Sequence, residues 1–418
     1  MRLRTLLGST LLLGLLGCSS SSKDPATNDG STTGKDQQVL EVFSWWVAPG
    51  EAEALQGLVD VYKKENVGAR VAQTPNVTGG NWQALMGAQI DQSPWDIVQL
   101  SASDLTGFQA DHPGAFMELD ELYARDNLPD VMIPEILDAV TRDGHQYGVV
   151  TGIHRNNSFI YNKQIFDEQK LEPPATIPEF LAVAKKLKKA GITPVATAFQ
   201  TWVLRILFDE MMAGTMGAQG FDDFIKGKAS PTDPDVQANI SSAIDTFDTI
   251  ITDYVDVDAS TPETYEWSNA AEDMHKNKAA MMFHGDWAKG YLVHLGWTPG
   301  VDFGVLGPPG ASDLFVYGAD MFCQPTTAPN PDLSQSFLEV VASPEGQVKF
   351  NSYKGATPMR SDVRAQLDEP GQLSLDGLRD AKVRMPGHAN DGWDAGIAAF
   401  VKDHDKDALL QVYIDTPP

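Results

Sequence analysis

The chain is short of cysteine, short of positive charge and empty of the common catalytic signatures. Each shortage removes a class of explanation. Only two cysteines, Cys18 and Cys323, occur in 418 residues. No disulfide framework can staple such a chain, and no CxxC pair offers a redox or zinc site. Lys and Arg number 31 against 57 Asp and Glu, a formal net charge of −26. That surface argues against nucleic acid and against an anionic membrane surface as partners. No GxSxG elbow, HExxH, P-loop or GxGxxG is present. Asp403, Asp405 and Asp407 fit the opening of a calcium loop, but Ala408 replaces the needed Gly and Ile414 stands where the bidentate Glu belongs. Those carboxylates instead suit the positive end of a C-terminal helix dipole. Glu272 and His275 stand three apart without further ligands, which reads as a solvated helix face. Glu51 and Asp286 would serve a glycosidase only at a particular separation, which spacing in sequence does not give. The expectation is a chain with no metal, no cofactor and no catalytic residues.

What is present begins with an address. "MRLRTLLGSTLLLGLLGC" sets Arg2 and Arg4 before an apolar run too short to span a bilayer comfortably, and ends on a small residue followed by Cys18. This stretch resembles the lipobox of bacterial lipoproteins, which implies a signal peptide over 1–17 and a lipidated Cys18. Residues 18–38 are rich in Ser, Thr, Asp and Gly with no apolar periodicity, the composition of a flexible tether. With Cys18 acylated, Cys323 stands alone, so the fold relies on core packing, and Cys323 reads as a small buried hydrophobe.

Hydrophobic content of 42% and charged content of 21% are those of a globular protein, and the length suggests at least two domains. From Val39 onward strand and helix patterns alternate. "LEVFSWW" is a strand, Ala52, Leu55, Leu58, Val59 and Tyr62 form a helical stripe, and "ARVAQ", "NWQALMGAQI" and "WDIVQL" continue the alternation. Such a β-α-β-α-β run predicts a mainly parallel sheet covered by helices. Later, "QYGVV", "SFIYN", "ITPVATA" and "AAMMFHGDW" read as strands. "IPEFLAVAKKLKKAG" and "SPEGQVKFNSYK" read as helices, the second with Ser343 as N-cap and Pro344 at the first position. Two α/β lobes fit the length. Open sheets bind ligands beyond the carboxyl ends of their strands, which draws attention to Trp45 and Trp46 where the first strand meets its turn. Adjacent residues of a strand face opposite ways, so one core does not readily hold both rings.

Five motifs then converge: "WWVAPGE", "GIHRNNSFIYNKQIFDE", "YEWSNAAEDMHKNKAAMMFHGDWAKGYL", "FNSYKGATPMRSD" and "RMPGHANDGW". In this order and combination they resemble the extracellular solute-binding proteins of carbohydrate ABC transporters, and more narrowly the glucose/mannose-binding branch. The resemblance spans most of the chain from Val39. It implies an α/β, type II periplasmic-binding-protein fold, with two discontinuous lobes hinged around a ligand cleft. The expected N-terminal lobe comprises 39–150 plus 312–345 and the C-terminal lobe 151–311 plus 346–418. It also implies a monomeric, non-enzymatic receptor, anchored to the membrane through its lipid alone, in the periplasm or at the cell surface. Such a receptor delivers a sugar, a glucose-like monosaccharide, to ABC permease subunits. An oligosaccharide receptor of the same fold and a glycan-acting lipoprotein enzyme are the alternatives.

By the same resemblance Trp45 and Trp46 match the sugar-stacking pair, Glu51 the following carboxylate, Asp286 the Asp of "GDW", Lys354 the Lys of "KG" and His388 a histidine of the C-terminal loop. Gln99 falls at the rim, Trp267 and Trp202 at aromatic positions, and His154 and Arg155 in "HRNN". The chemistry is apt. Aromatic faces cover the C–H patches of a pyranose, while carboxylates, amides, Lys and His meet its hydroxyls. Each residue also has a plainer reading: Trp46 as core, Asp286 as a helix cap, Lys354 as a solvated lysine, His388 as structural, and Arg155 in an ion pair between lobes. The chain departs from the family pattern at "VTGGNW", where Met86 aligns with a sugar-facing lysine and Trp82 lies nearby. That leaves the identity of the sugar open.

Overall fold

The structure is a computed structural model and describes residues 39–75, 82–257, 264–388, 390–416 and 418. The leader, Cys18 and the tether lie outside these residues, as does the side chain of Trp82. In chain order the strands are β1 Val39–Ser44, β2 Arg70–Pro75, β3 Ile97–Ser101, β4 Thr141–Arg142, β5 His145–Gln146, β6 Val149–Arg155, β7 Ser158–Asn162, β8 Thr193–Val195, β9 Ala279–His284, β10 Phe303–Leu306, β11 Leu314–Cys323 and β12 Val383–Pro386. The larger sheet runs β12-β11-β3-β1-β2, with β6 also paired to β11. A smaller sheet runs β10-β7-β9-β8, and β4 and β5 form a hairpin.

The parallel expectation holds for β1, β2 and β3, whose crossovers are helical. Beyond them the sheets are mixed, with β11 parallel to β12 and β8 parallel to β9. β11 runs antiparallel to both β3 and β6, and β7 runs antiparallel to β9 and β10. The partner of β3 arrives more than two hundred residues later, and no local pattern announces its direction.

Local signals set the helices. Thr176 Oγ1 accepts the Glu179 N–H at 3.3 Å to open Ile177–Lys189, with three lysines in the last turn and Gly191 beyond at φ +77°. Ser343 Oγ accepts the Gly346 N–H at 3.0 Å to open Pro344–Lys354. Asp405 caps Lys406–Asp415 by accepting the Ala408 N–H at 3.0 Å, which is where the acidic triplet at 403–407 finds its use.

Two large cores divide the chain into lobes. Phe43, Leu58, Val98, Phe322 and Cys323 belong to one, and Phe159, Phe180, Phe208, Phe283 and Trp393 to the other. The chain passes between them three times. Ile153 lies in the first core and Phe159 in the second. Along β11, Leu314 and Val316 face the second core while Phe315 and Tyr317 face the first. The third passage corrects the expected boundary at 346. Phe350, Met359 and Leu378 pack in the first core, so the chain does not leave it until Val383 and Met385. The cause is the helix Pro344–Lys354, which lies against Glu51–Glu65 rather than starting the second lobe. The passages are laced together by amides. Asn156 N–H donates to the Val316 carbonyl at 2.8 Å, Asn157 Oδ1 accepts from Val316 N–H at 2.9 Å, and Gly387 N–H donates to the Tyr317 carbonyl at 2.7 Å.

Candidate functional site

Three helix ends meet where the lobes join: the start of Glu51–Glu65, the start of Trp287–His294 and the end of Pro344–Lys354. Glycine permits the approach. A side chain at Gly290 would meet the Lys354 carbonyl oxygen at 2.5 Å, and one at Gly355, already at φ +77°, would meet the Gly290 nitrogen at 2.8 Å. The glycines of "AKG" and "KG" therefore let two backbones touch, a structural demand independent of any ligand. Gly285 does a related job, since a β-carbon there would lie 2.0 Å from the Trp287 ring.

Most polar groups singled out in the sequence are already engaged at this junction. Lys354, 3% exposed, donates to Glu51 Oε1 at 2.6 Å. Gln99 Oε1 accepts from Ser44 Oγ at 2.7 Å and from the Trp45 N–H at 3.1 Å, which fixes the chain as it leaves β1. Asp286 does not cap its helix: Oδ1 pairs with His154 Nδ1 at 2.7 Å and Oδ2 accepts the Arg155 N–H at 2.9 Å. It ties the second lobe to β6. Burial and Lys354 oppose a charge on His154, but Asp286 and Asp320 outweigh them and hold its pKa above the ordinary value. Arg155 makes no ion pair among the described residues. Its guanidinium donates to the Leu314 carbonyl at 2.7 Å, and burial lowers its pKa to about 10.

Trp46 requires a correction. β1 ends at Ser44, so strand alternation no longer separates the two rings. Trp46 is 0% exposed, with ring centroids 4.8 Å from Phe350 and 5.4 Å from Phe322, and Lys354 Nζ 5.9 Å from its own ring centre. It is core, and its faces are not open to a ligand. Trp45 is half-buried against the same core. Met86 is also fully buried there, so it does not stand in for a ligand-facing lysine. Among the buried atoms on this side that make no hydrogen bond are two N–H donors, Gln99 Nε2 and Trp46 Nε1.

The second lobe carries an aromatic cluster at the end of β9. His284 lies 5.3 Å from Trp202, 5.5 Å from Trp267 in a stacked pose and 5.1 Å from Trp287. Its Nε2 accepts from Trp287 Nε1 at 2.9 Å, and burial drives its pKa down to about 3, so the imidazole is neutral. Trp267 is thus a wall of this cluster, while Trp202 is 42% exposed.

Beside the cluster lies a cavity of about 300 Å³, at the small end of ligand pockets, which run about 300–1,000 Å³. Asn156, Asn157, Leu314 and Val316 of the crossing segments form one wall and Trp202 and Trp287 another. The remainder includes Arg205, Asp209, Glu210 and His388. Arg205 Nε donates to both Asp209 oxygens at 3.1 Å and Nη1 to Asp394 at 2.9 Å. His388 lies 3.5 Å from Asp209 Oδ2, and burial, opposed by Asp209, lowers its pKa. Glu210 is 1% exposed; burial raises its pKa well above the carboxylate range although Arg155 pulls it down. Of the residues singled out in the sequence, His388 and Trp202 line this cavity. Glu210, Arg205 and Asp209 were missed. The available signal was three charges inside the apolar run "VLRILFDEMMAG", where solvated charges do not belong. Elsewhere, Glu118, Asp120 and His145 are the one trio among the described residues whose atoms lie within reach of a shared cation, and His145 is already bonded to Asp120 at 2.6 Å. Glu272 is paired with Lys276 at 2.6 Å.

Comparison with known proteins agrees with this architecture. Residues 47–348 match the model of the bacterial extracellular solute-binding protein family. An uncharacterized ABC transporter extracellular-binding protein of Pyrococcus horikoshii is 31% identical over 392 residues, covering 89% of this chain and 84% of its own. A probable sugar-binding periplasmic protein of Rhizobium meliloti is 29% identical over 377 residues, covering 86% and 87%. Among solved structures, the bacterial solute receptor AcbH, described as preferring β-D-galactopyranose, superposes with a TM-score of 0.73 at 16% identity, covering 91% of this chain and 97% of its own. That likeness establishes the two-lobed type II periplasmic-binding-protein fold. The chain belongs to the bacterial extracellular solute-binding protein family, whose members are receptors rather than enzymes.

Proposed function

We propose that this protein is the sugar-capturing receptor of an ABC importer and that its ligand is a single glucose-like aldohexose. The observation that carries the reading is the cavity of about 300 Å³ at the lobe junction, with tryptophan on one side and mixed donors and acceptors on the others. A pyranose needs both kinds of wall: an apolar surface for its C–H faces and polar groups of both senses for its hydroxyls. The small volume favours one ring over a chain of rings. Because the crossing segments Asn156–Asn157 and Leu314–Val316 line the cavity, a bound sugar acts on the hinge itself. Contacts that exist only when both lobes engage the ring favour the closed form by their differential free energy. The permease then recognises the closed receptor. Cys18 as lipid attachment, with the segment after it as tether, would hold the protein at the periplasmic or outer face of a membrane. It would work there as a monomer.

Titration calorimetry of the purified protein against glucose, mannose, galactose, their disaccharides and amino acids tests the reading. Saturable one-to-one binding of an aldohexose is expected, with the sugar recovered unchanged. Binding confined to disaccharides or longer chains contradicts the monosaccharide assignment. Failure to bind any sugar, or turnover of one, contradicts the reading altogether.

A further inference from the structure

Glu210 is the least explained group in the molecule. It sits on Thr201–Ile225 between Asp209 and Met211, it is 1% exposed, and neither carboxyl oxygen has a hydrogen-bond partner among the described residues. Burying a carboxyl without partners is unfavourable by several kcal/mol in general, so such a group calls for an occupant. It is not alone. Arg205 Nη2 and both ring nitrogens of His388 are buried without a hydrogen bond, although His388 Nε2 lies 3.5 Å from Asp209 Oδ2, and Glu210, Arg205 and His388 line the same cavity. The neighbouring protein groups do not absorb them: Asp209 is taken up by Arg205 Nε, and Arg155 donates to backbone carbonyls.

The mixture identifies the chemistry. A cation site needs acceptors only, and an anion site donors only. Here a carboxyl accepts, a guanidinium donates and an imidazole does either, and the indole rings of Trp202 and Trp287 line the same cavity. A hydroxyl both donates and accepts, so vicinal hydroxyls on a flat ring fit all of them at once. We infer that Glu210 is a specificity-determining residue of the sugar site, sharing a hydrogen bond with one ring hydroxyl while Arg205 and His388 engage its neighbours. This rests on the preceding reading of the cavity as a pyranose seat, and adds which side chain interrogates the ring. A sugar lacking that hydroxyl would leave the carboxyl buried and unpaired, the arrangement that gives strong discrimination.

The test is a cycle of protein and ligand changes. Binding of D-glucose and its 2-, 3-, 4- and 6-deoxy analogues is measured calorimetrically for wild type, Glu210→Gln and Glu210→Leu, with folding checked by circular dichroism. In wild type one deoxy analogue should bind roughly 10- to 100-fold more weakly than glucose. In Glu210→Leu that ratio should collapse toward one while the ratios at other positions persist. Glu210→Gln, which keeps shape and an acceptor, should lie between, and it carries the test if the leucine variant fails to fold. A purely structural Glu210 would lower affinity for every analogue alike and leave all ratios intact, which overturns the inference alone. If glucose does not bind, the same cycle is run on whichever of mannose or galactose does; wild-type protein that binds none of the three overturns the hexose reading, and this inference with it.

Discussion

The two sides of the lobe junction treat polar groups differently. On the first-lobe side the charges are matched: Lys354 with Glu51 at 2.6 Å, and Gln99 Oε1 with Ser44 and the Trp45 N–H. Asp286, reaching from the second lobe, is likewise matched by His154 and the Arg155 N–H. On the second-lobe side Glu210, Arg205 Nη2 and the His388 ring line a cavity and make no hydrogen bond among the described residues, His388 keeping only a 3.5 Å contact with Asp209. Matched groups hold a shape, whereas unmatched buried groups make sense when a ligand completes them. The residues most visible in the sequence therefore do much of the architectural work, and a less visible set carries the recognition.

The comparison breaks first at Trp46. If it is core, Trp46→Ala should reduce unfolding free energy in urea by about 3–5 kcal/mol. Unchanged stability with loss of sugar binding alone would return Trp46 to the ligand wall. Next is the ion pair. Lys354→Met leaves Glu51 facing an apolar neighbour and Glu51→Leu leaves a 3%-exposed ammonium unpaired. The latter should cost about 3 kcal/mol, with the double substitution recovering most of it. Additive losses would mean that the pair is not coupled.

His284 gives a pH signature. Its native pKa of about 3 lies below the ordinary 6.5. As pH falls below 6.5 the unfolded chain takes up a proton that the native state refuses. Stability contributed by this group is thus complete above pH 6.5 and is lost on acidification toward pH 3. Between pH 7 and pH 5 it should account for about 2 kcal/mol of destabilisation. In His284→Phe the wild-type decline over that interval should shrink by this amount, as followed by urea melts at both pH values. The smallest effect on stability belongs to Trp202, 42% exposed. Trp202→Ala should change unfolding free energy by under about 1 kcal/mol, yet weaken hexose binding several-fold, the scale of one aromatic contact. Equal losses in both would merge the two sides of the comparison.

How much of this was legible follows from which forces act locally. Capping and periodicity announced the helices at 51, 177 and 344 because Ser343, the amphipathic pattern of "IPEFLAVAKKLKKAG" and the Leu55–Leu58–Tyr62 stripe act within a few residues. The motifs also led to the lobe junction, where Lys354 pairs with Glu51 and Asp286 ties the second lobe to His154 and Arg155. Their roles were not legible, because an acidic side chain reads the same whether its partner is a sugar or a lysine 303 positions away. The third crossing was misplaced for a similar reason: only packing reveals that Phe350 joins the first core. Glu210 was overlooked inside a helix whose apolar character drew it into the background, although a charge in such a run is the mark of a buried, purposeful group.

A crystal structure of the protein with D-glucose tests the central claim most directly. The account predicts a pyranose in the cavity beside Trp202 and Trp287, with one hydroxyl within hydrogen-bonding distance of a Glu210 carboxyl oxygen and Trp46 still enclosed by Phe322 and Phe350. A sugar stacked on the Trp45–Trp46 turn, with Lys354 and Glu51 parted to receive it and the Glu210 cavity empty, would contradict it.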